Sequence, residues 1–359
     1  MRRFILINLL ACGSALAQQP ATAWQAYADV QLWAAYDAIP VRQFDGTWGA
    51  YAPRDGRNVF LQRHRAEAGV EKDGWRVGLE YRVEGTLVAN RDTLDFYHAY
   101  QQRLRPDTPR AYGLDAQFKA WSAAGLRVAR TFALDGSGAA LTVSGALYAH
   151  PRNRDIDVNG KVDYQPIDNY GFNAQYRESD TRYRYPFMQE SSQTSSGASV
   201  SMALQWPIGE RVTANLALND LWSKMRWANL PAVTKNLNSD VTSVDQDGYV
   251  NYRPLLSGQN SRIDKSGSIG MSSAASLTYR LDRWRIKAGV DRIEGTTIPA
   301  LAATYGSQWG AFTGSYESRF KTVGIGYDHG PFRLHLRTNS WSLNQASAIG
   351  LDARLHYQF

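Results

Sequence analysis

The sequence alternates. In "WRVGLEYRVE", which follows the turn-forming "EKDG" (Glu71 to Gly74), Trp75, Val77, Leu79, Tyr81 and Val83 fall on one face, and Arg76, Gly78, Glu80, Arg82 and Glu84 on the other. Period two marks a β-strand with one apolar and one polar side. The rhythm recurs where Ile156, Val158, Val162 and Tyr164 alternate with Asp155, Asp157 and Asp163, and a "QPIDN" turn leads on to Tyr170, Phe172, Ala174 and Tyr176. "ASVSMALQW" and "VTANLALND" flank "PIGE"; "TVGIGYD" and "FRLHLRT" flank "HGP". Alternating runs joined by tight turns predict antiparallel hairpins, and their succession predicts one large sheet.

The chain finishes on such a run. In "GLDARLHYQF" the apolar set is Leu351, Ala353, Leu355, Tyr357 and Phe359, against Asp352, Arg354, His356 and Gln358. This ending resembles the closing strand of bacterial outer-membrane β-barrels, which ends in Phe with Tyr two positions earlier. The resemblance implies an all-β fold: a single transmembrane antiparallel up-and-down β-barrel of about sixteen to eighteen strands, in the outer membrane of a Gram-negative bacterium. It also implies barrel-assembly machinery as a partner that reads the terminal strand.

Strand windows run 26–36, 60–70, 75–84, 93–104, 111–122, 125–133, 139–150, 155–164 and 170–179, and continue from 197–206 to 349–359. The first window also fits an amphipathic helix. Residues 18–56 are therefore read as a first strand or a lumenal helix or plug, and 57–359 as the barrel. The Ser-, Asn-, Asp- and Gly-rich stretch 228–266 is read as a long outer loop that folds over the mouth, enters it or holds a further hairpin. Trp75, Tyr164, Tyr170, Trp206, Tyr279, Trp284, Tyr327, Phe332 and Phe359 all stand close to a tight turn or the chain end. Such placement predicts an aromatic girdle at the headgroup boundary, with the tight turns on the periplasmic side and lipid and lipopolysaccharide outside.

Composition sharpens the compartment. "MRRFILINLLACGSALA" has the basic start, apolar centre and small-residue ending of a signal peptide, residues 1–17, with the mature chain beginning near Gln18. "LLAC" (Leu9 to Cys12) offers a competing lipoprotein cut that would leave Cys12 acylated. Cys12 is the only cysteine, so the mature chain holds neither a disulfide nor a cysteine-metal site. The net charge of +7 falls to +5 when Arg2 and Arg3 are removed, too mild an excess for a nucleic-acid partner. Beyond the signal no apolar stretch approaches the roughly 18 residues of a membrane helix. A mean hydropathy of −0.43 suits a barrel whose strands are half polar.

Catalytic motifs are missing: there is no GxSxG, HExxH, P-loop or complete GxGxxG. The reading is therefore of no enzyme, no cofactor and no metal. Asp155 to Gly160 matches the opening of a calcium-binding loop, but Pro166 stands where its closing glutamate belongs. Asp240, Asp245 and Asp247 have the chemistry to hold a divalent ion, but an acidic loop of this kind is ordinarily just solvated. His64 and His98 alternate with apolar neighbours, the setting of the histidine in outer-membrane phospholipases, and are placed at the membrane interface. The arginines of "RYRYPF" (Arg182 to Phe187) either meet lipopolysaccharide phosphates or meet nothing.

If the apolar sets face lipid, the polar sets face an enclosed interior, and the two chain ends become neighbours. Arg63, Arg65, Arg76, Arg82, Arg333, Arg337 and Arg354, with His335 and His356, then form a basic wall, and Asp155, Asp157 and Asp163 an acidic stripe opposite. Opposed walls resemble the constriction of general porins. The resemblance implies a channel for small hydrophilic solutes, leaning to anions or acidic sugars because arginine predominates. Alternatively, Glu67, Glu80 and Glu84 neutralise the arginines and stiffen the wall. The rival function is a non-conducting barrel, blocked by a lumenal segment, that acts as scaffold, adhesin or secretion partner.

Overall fold

Alternation closes the sheet on itself. The structure is a computed structural model, which describes residues 23–134, 138–166, 169–184, 192–239, 242–244, 246–247, 250–252 and 255–359. The signal-peptide region, Cys12, Asp240 and Asp245 lie outside the described residues. The chain runs β1 (Gln25–Tyr36), β2 (Arg57–Lys72), β3 (Trp75–Asn90), α1 (Arg91–Gln102), β4 (Arg110–Leu134), β5 (Ala139–Gln165), β6 (Asn169–Asp180), β7 (Thr194–Ile208) and β8 (Val212–Asn238). A small hairpin of β9 (Thr242–Val244) and β10 (Val250–Tyr252) follows, then β11 (Leu256–Gly267) and β12 (Ser272–Leu281). The last strands are β13 (Trp284–Ile293), β14 (Thr296–Ser307), β15 (Gly310–Glu317), β16 (Thr322–His329), β17 (Phe332–Thr338) and β18 (Ala348–Gln358).

The wall is a closed antiparallel barrel of 14 strands. β18 zips to β1 from Gln358↔Gln25 to Ala348↔Ala35, so the two ends of the chain seal it. β7 lies between the lower parts of β5 and β8, and β6 between their upper parts. β11 pairs along the other side of upper β8.

Fourteen is fewer than the sequence windows suggested, for identifiable reasons. Window 93–104 is helix α1, capped by Asn90, whose side chain accepts from the Thr93 amide. Windows 111–122 and 125–133 are one strand, β4; 139–150 and 155–164 are likewise one strand, β5. The 170–179 window is β6, which pairs only above the wall. The 26–36 window is a wall strand, β1. Stretch 228–266 is largely strand as well, since β8 continues to Asn238 and β11 returns beside it.

Trp75, Val77, Leu79 and Tyr81 are 52%, 39%, 71% and 51% exposed, with no second protein layer against them. Large apolar residues on the outer face of a closed barrel need hydrocarbon, since an aqueous surface of that extent would self-associate. The wall is uneven. β5 and β8 each have 27 residues, whereas β15, β16 and β17 have 8, 8 and 7. With about 2.5 Å of height per tilted residue, upper β5 rises far beyond an apolar band about 25 Å tall.

Above that band the outer face is clothed by protein. Residues 37–56 and α1 pack on the outward side of β1–β4, where Ile39, Trp48 and Leu94 bury Tyr36, Phe60 and Ala89. The Tyr51 hydroxyl donates to Asp95 (2.6 Å) and its ring stacks on His98; burial and the Asp95 carboxylate push the phenol upward from its ordinary pKa. The start of α1 also covers the edge of β4 above its pairing with β3: Asp92 accepts from the Gly113 amide, and Asn90 donates to the Gly113 carbonyl. An unpaired strand edge is thus occupied by side chains.

Candidate functional site: a lumenal pathway

The polar faces meet inside, as a closed wall requires. On β1–β3 the lumenal residues form a dense ion-pair ladder. Arg65 contacts Glu67 (2.7 Å) and Glu80 (2.5 Å), and Arg76 contacts Asp29 (2.5 Å) and Glu67 (3.1 Å). Arg82 pairs with Glu84 and reaches Asp220 on β8 (2.7 Å). Arg63 donates across the interior to Ser272 Oγ (3.0 Å), which also lies 3.4 Å from Asn219 Nδ2, so a polar strut crosses the lumen. Arg354 contacts Asp29 (3.0 Å), Arg333 contacts Asp328 (2.6 Å), and Arg337 is 3.9 Å from Asp352. The seven arginines named from the sequence all face inward, each beside an acid.

The acidic stripe stands elsewhere. Asp155, Asp157 and Asp163 lie on upper β5, about 40 Å or more above Ala139, so they do not confront the basic wall across the membrane. Asp155 pairs instead with Lys265 of β11. The calcium-like run Asp155 to Gly160 is ordinary β5 strand. Of the aromatic set, Trp75, Trp206, Tyr279, Trp284, Phe332 and Phe359 are exposed at the tight-turn end, and the Tyr327 hydroxyl donates there to the Trp309 carbonyl. Tyr164 and Tyr170 leave that ring: their turn is at the opposite end, where the rings contact each other at 5.0 Å and Tyr164 is buried. His64 faces outward beside Gln62 (2.6 Å).

A cavity lined by Arg65, Arg82, Arg127 and Ser201 adjoins the strut at Arg63 and Asn219, and beyond it the interior is packed. Tyr148, Met225, Trp227 and Ile269 form an apolar cluster against β4, β5 and β8. On the other side, three cavities adjoin along β13–β17. The largest, about 550 Å³, is lined by Arg285, Lys287, Thr304, Ser315, Asp328, Arg333 and His335 among others. Lys287 also lines the second, of about 360 Å³, which shares Asp291, Ile298 and Ala300 with the third. The third ends at Trp33, Glu317 and Thr322 near the loop end. There Trp33, Val59 and Leu61 meet Ile293, Ile298 and Phe320 in an apolar constriction, with the Trp33 and Phe320 rings 6.0 Å apart.

Two glycines shape this pathway. Ser315 Oγ lies 3.1 Å from His335 Nε2 across β16, and His335 Nδ1 lies 3.7 Å from Asp352. A Cβ on Gly324 would stand 2.3 Å from Ser315 Oγ, and one on Gly326 2.9 Å from His335 Cδ2. Neither Lys287 nor this Ser315–His335–Asp352 cluster is legible in sequence, because alternation assigns a side chain to the interior without saying which interior residues lack partners.

A closed antiparallel barrel with a bare apolar outer band and a charged interior defines a bacterial outer-membrane β-barrel. Tight turns then mark its periplasmic end and long connections its outer end. No protein-family model matches the sequence, and no curated protein matches it. Among solved structures it is similar to a deletion mutant of the monoaromatic hydrocarbon channel TodX, at TM-score 0.44 and 10% identity over 94% of this chain and 90% of that one. It is also similar to the Ralstonia pickettii toluene transporter TbuX, at TM-score 0.33 and 9% identity over 97% and 95%. An outer-membrane channel from Pseudomonas putida F1 gives TM-score 0.32 and 12% identity over 98% and 100%.

Proposed function

We propose that this protein is an outer-membrane channel that passes small hydrophilic solutes and favours anions, acidic sugars included. The observation that carries the reading is the continuity of the three cavities from the Arg285 and Arg333 end to Trp33. Their lining holds Arg285, Lys287, Arg333 and Arg337 against Asp291, Glu317 and Asp328, a cationic excess that raises the local concentration of anions. The apolar contact of Trp33 with Phe320 acts as a gate near the outer end, and size exclusion operates below it. The paired arginines of β1–β3 serve as a stiff wall and leave the selectivity to β13–β17.

The test is planar-bilayer conductance of the purified barrel under a salt gradient. A reversal potential on the anion side is expected. Folded protein that carries no current would favour the second reading, a closed barrel acting as scaffold, adhesin or export partner, which the strut and the apolar constriction support. The assembly machinery is expected to read β18, so deleting Phe359 should lower the yield of heat-modifiable barrel without altering synthesis.

A further inference from the structure

Lys287 is a lumenal cation that no acid holds in close contact. It is 6% exposed, faces the lumen from β13, and forms no hydrogen bond or close ion pair among the described residues. Asp291, on the same face of the strand, is the acid that acts on it, and it does so at a distance. A lysine side chain buried to this degree without a contact partner is costly, and an apolar side chain there would avoid that cost.

The neighbours are similarly unfinished. Arg333 holds Asp328 through Nε (2.8 Å) and Nη2 (2.6 Å), yet its Nη1 is buried with no hydrogen-bond partner. Thr304 and Thr313, whose hydroxyls are 2.9 Å apart, line the same space as Lys287 and Arg333, as does Ser315. These groups all line one cavity that opens into the lumen.

We propose that this cavity is a binding site for a small solute bearing an oxyanion, a phosphate or carboxylate group, with Lys287 and Arg333 Nη1 as its charged donors and Thr304 and Thr313 as its neutral ones. The assignment deepens the channel reading and rests on it: a solute that sheds water inside a charged lumen needs a point where fixed donors replace that water. Affinity at such a point is modest, because a passing ion must also leave.

The test uses the full barrel in detergent micelles, titrated with inorganic phosphate and followed by ³¹P line broadening, with succinate as a competitor. Saturable phosphate binding is expected. Lys287→Met weakens it about tenfold or more, as loss of a charge-assisted bond does, and Lys287→Arg largely restores it. Thr304→Val, which alters no charge, weakens it several-fold and serves if Lys287→Met does not fold. Lys235→Met, on β8 outside the membrane, leaves it unchanged. If succinate displaces phosphate, the site reads the shared anionic group; if not, it is a phosphate site.

No saturable binding, or binding indifferent to both cavity variants, would overturn the proposal. Conductance on the same preparation separates the two readings. Phosphate binding without current refutes the channel and leaves the site standing; current without binding does the reverse.

Discussion

Arg82 of β3 grips Asp220 of β8 with both terminal nitrogens, Nη1 at 2.9 Å from one carboxylate oxygen and Nη2 at 2.7 Å from the other. β4, β5 and β7 lie between them in the wall, so the pair braces the barrel through its interior. Both are buried, and Arg82 also stacks over Trp121. Asp220→Ala leaves a buried guanidinium with Glu84 as its remaining close acid, and should cost about 3 kcal/mol. Urea unfolding in micelles measures this. Replacing both residues by apolar ones, Arg82→Met with Asp220→Leu, should recover most of the loss.

The constriction at the outer end makes a transport prediction. Phe320 is held in place because Arg319 of the same turn donates to Asp37 through both terminal nitrogens, at 2.6 and 2.7 Å. Phe320→Ala should remove the ring opposite Trp33 and raise single-channel conductance several-fold. An unchanged conductance would place the narrowest point elsewhere.

Gly324 is predicted to be intolerant of any side chain. Gly324→Ala sets a methyl against Ser315 Oγ and His335 Nε2, and overpacking of this kind costs about 1–3 kcal/mol. The temperature at which the barrel loses its heat-modifiable migration should fall. Ser315→Gly in the same protein should restore part of it, because the nearest obstructing atom is then gone.

The outer covering should fail independently of the wall. Leu94 is fully buried between α1 and the barrel exterior, so Leu94→Ala should loosen α1 and residues 37–56 by about 2–5 kcal/mol. Limited trypsin digestion should then cut at Arg42 or Arg54 while the barrel keeps its compact migration. Simultaneous loss of both would mean that the covering holds the wall together.

The outward faces of β3 and β18 were readable because lipid and water sort side chains by polarity at every second position, as the exposed Leu79 and Leu355 confirm. Strand continuity was not. In β5 the backbone turns left-handed at His150 (φ 47), and the β4 register slips between Ser122 and Ala124. Tyr148 below this bulge and Asp155 above it both face inward, so the alternation changes phase, and one strand reads as two. The misplacement of Tyr164, Tyr170 and the acidic stripe follows from that single error of length. Helix α1 reads as a strand in sequence because Phe96, Tyr97 and Tyr100 favour extended structure, although Asn90 three residues before Thr93 carries a capping signal. Lys287 was invisible for another reason: the lack of a partner is a property of three-dimensional surroundings.

The uneven heights of the strands have a consequence for approach. With β5 and β8 rising well past the lipid while β15–β17 stop near it, the rim is cut obliquely, like the end of a quill. The outer opening therefore faces sideways, toward the low flank beside Phe320, and the tall flank of β5, β6, β8 and β11 stands farthest from the membrane. Under the channel proposal, the direction of approach would differ for small solutes and for large molecules.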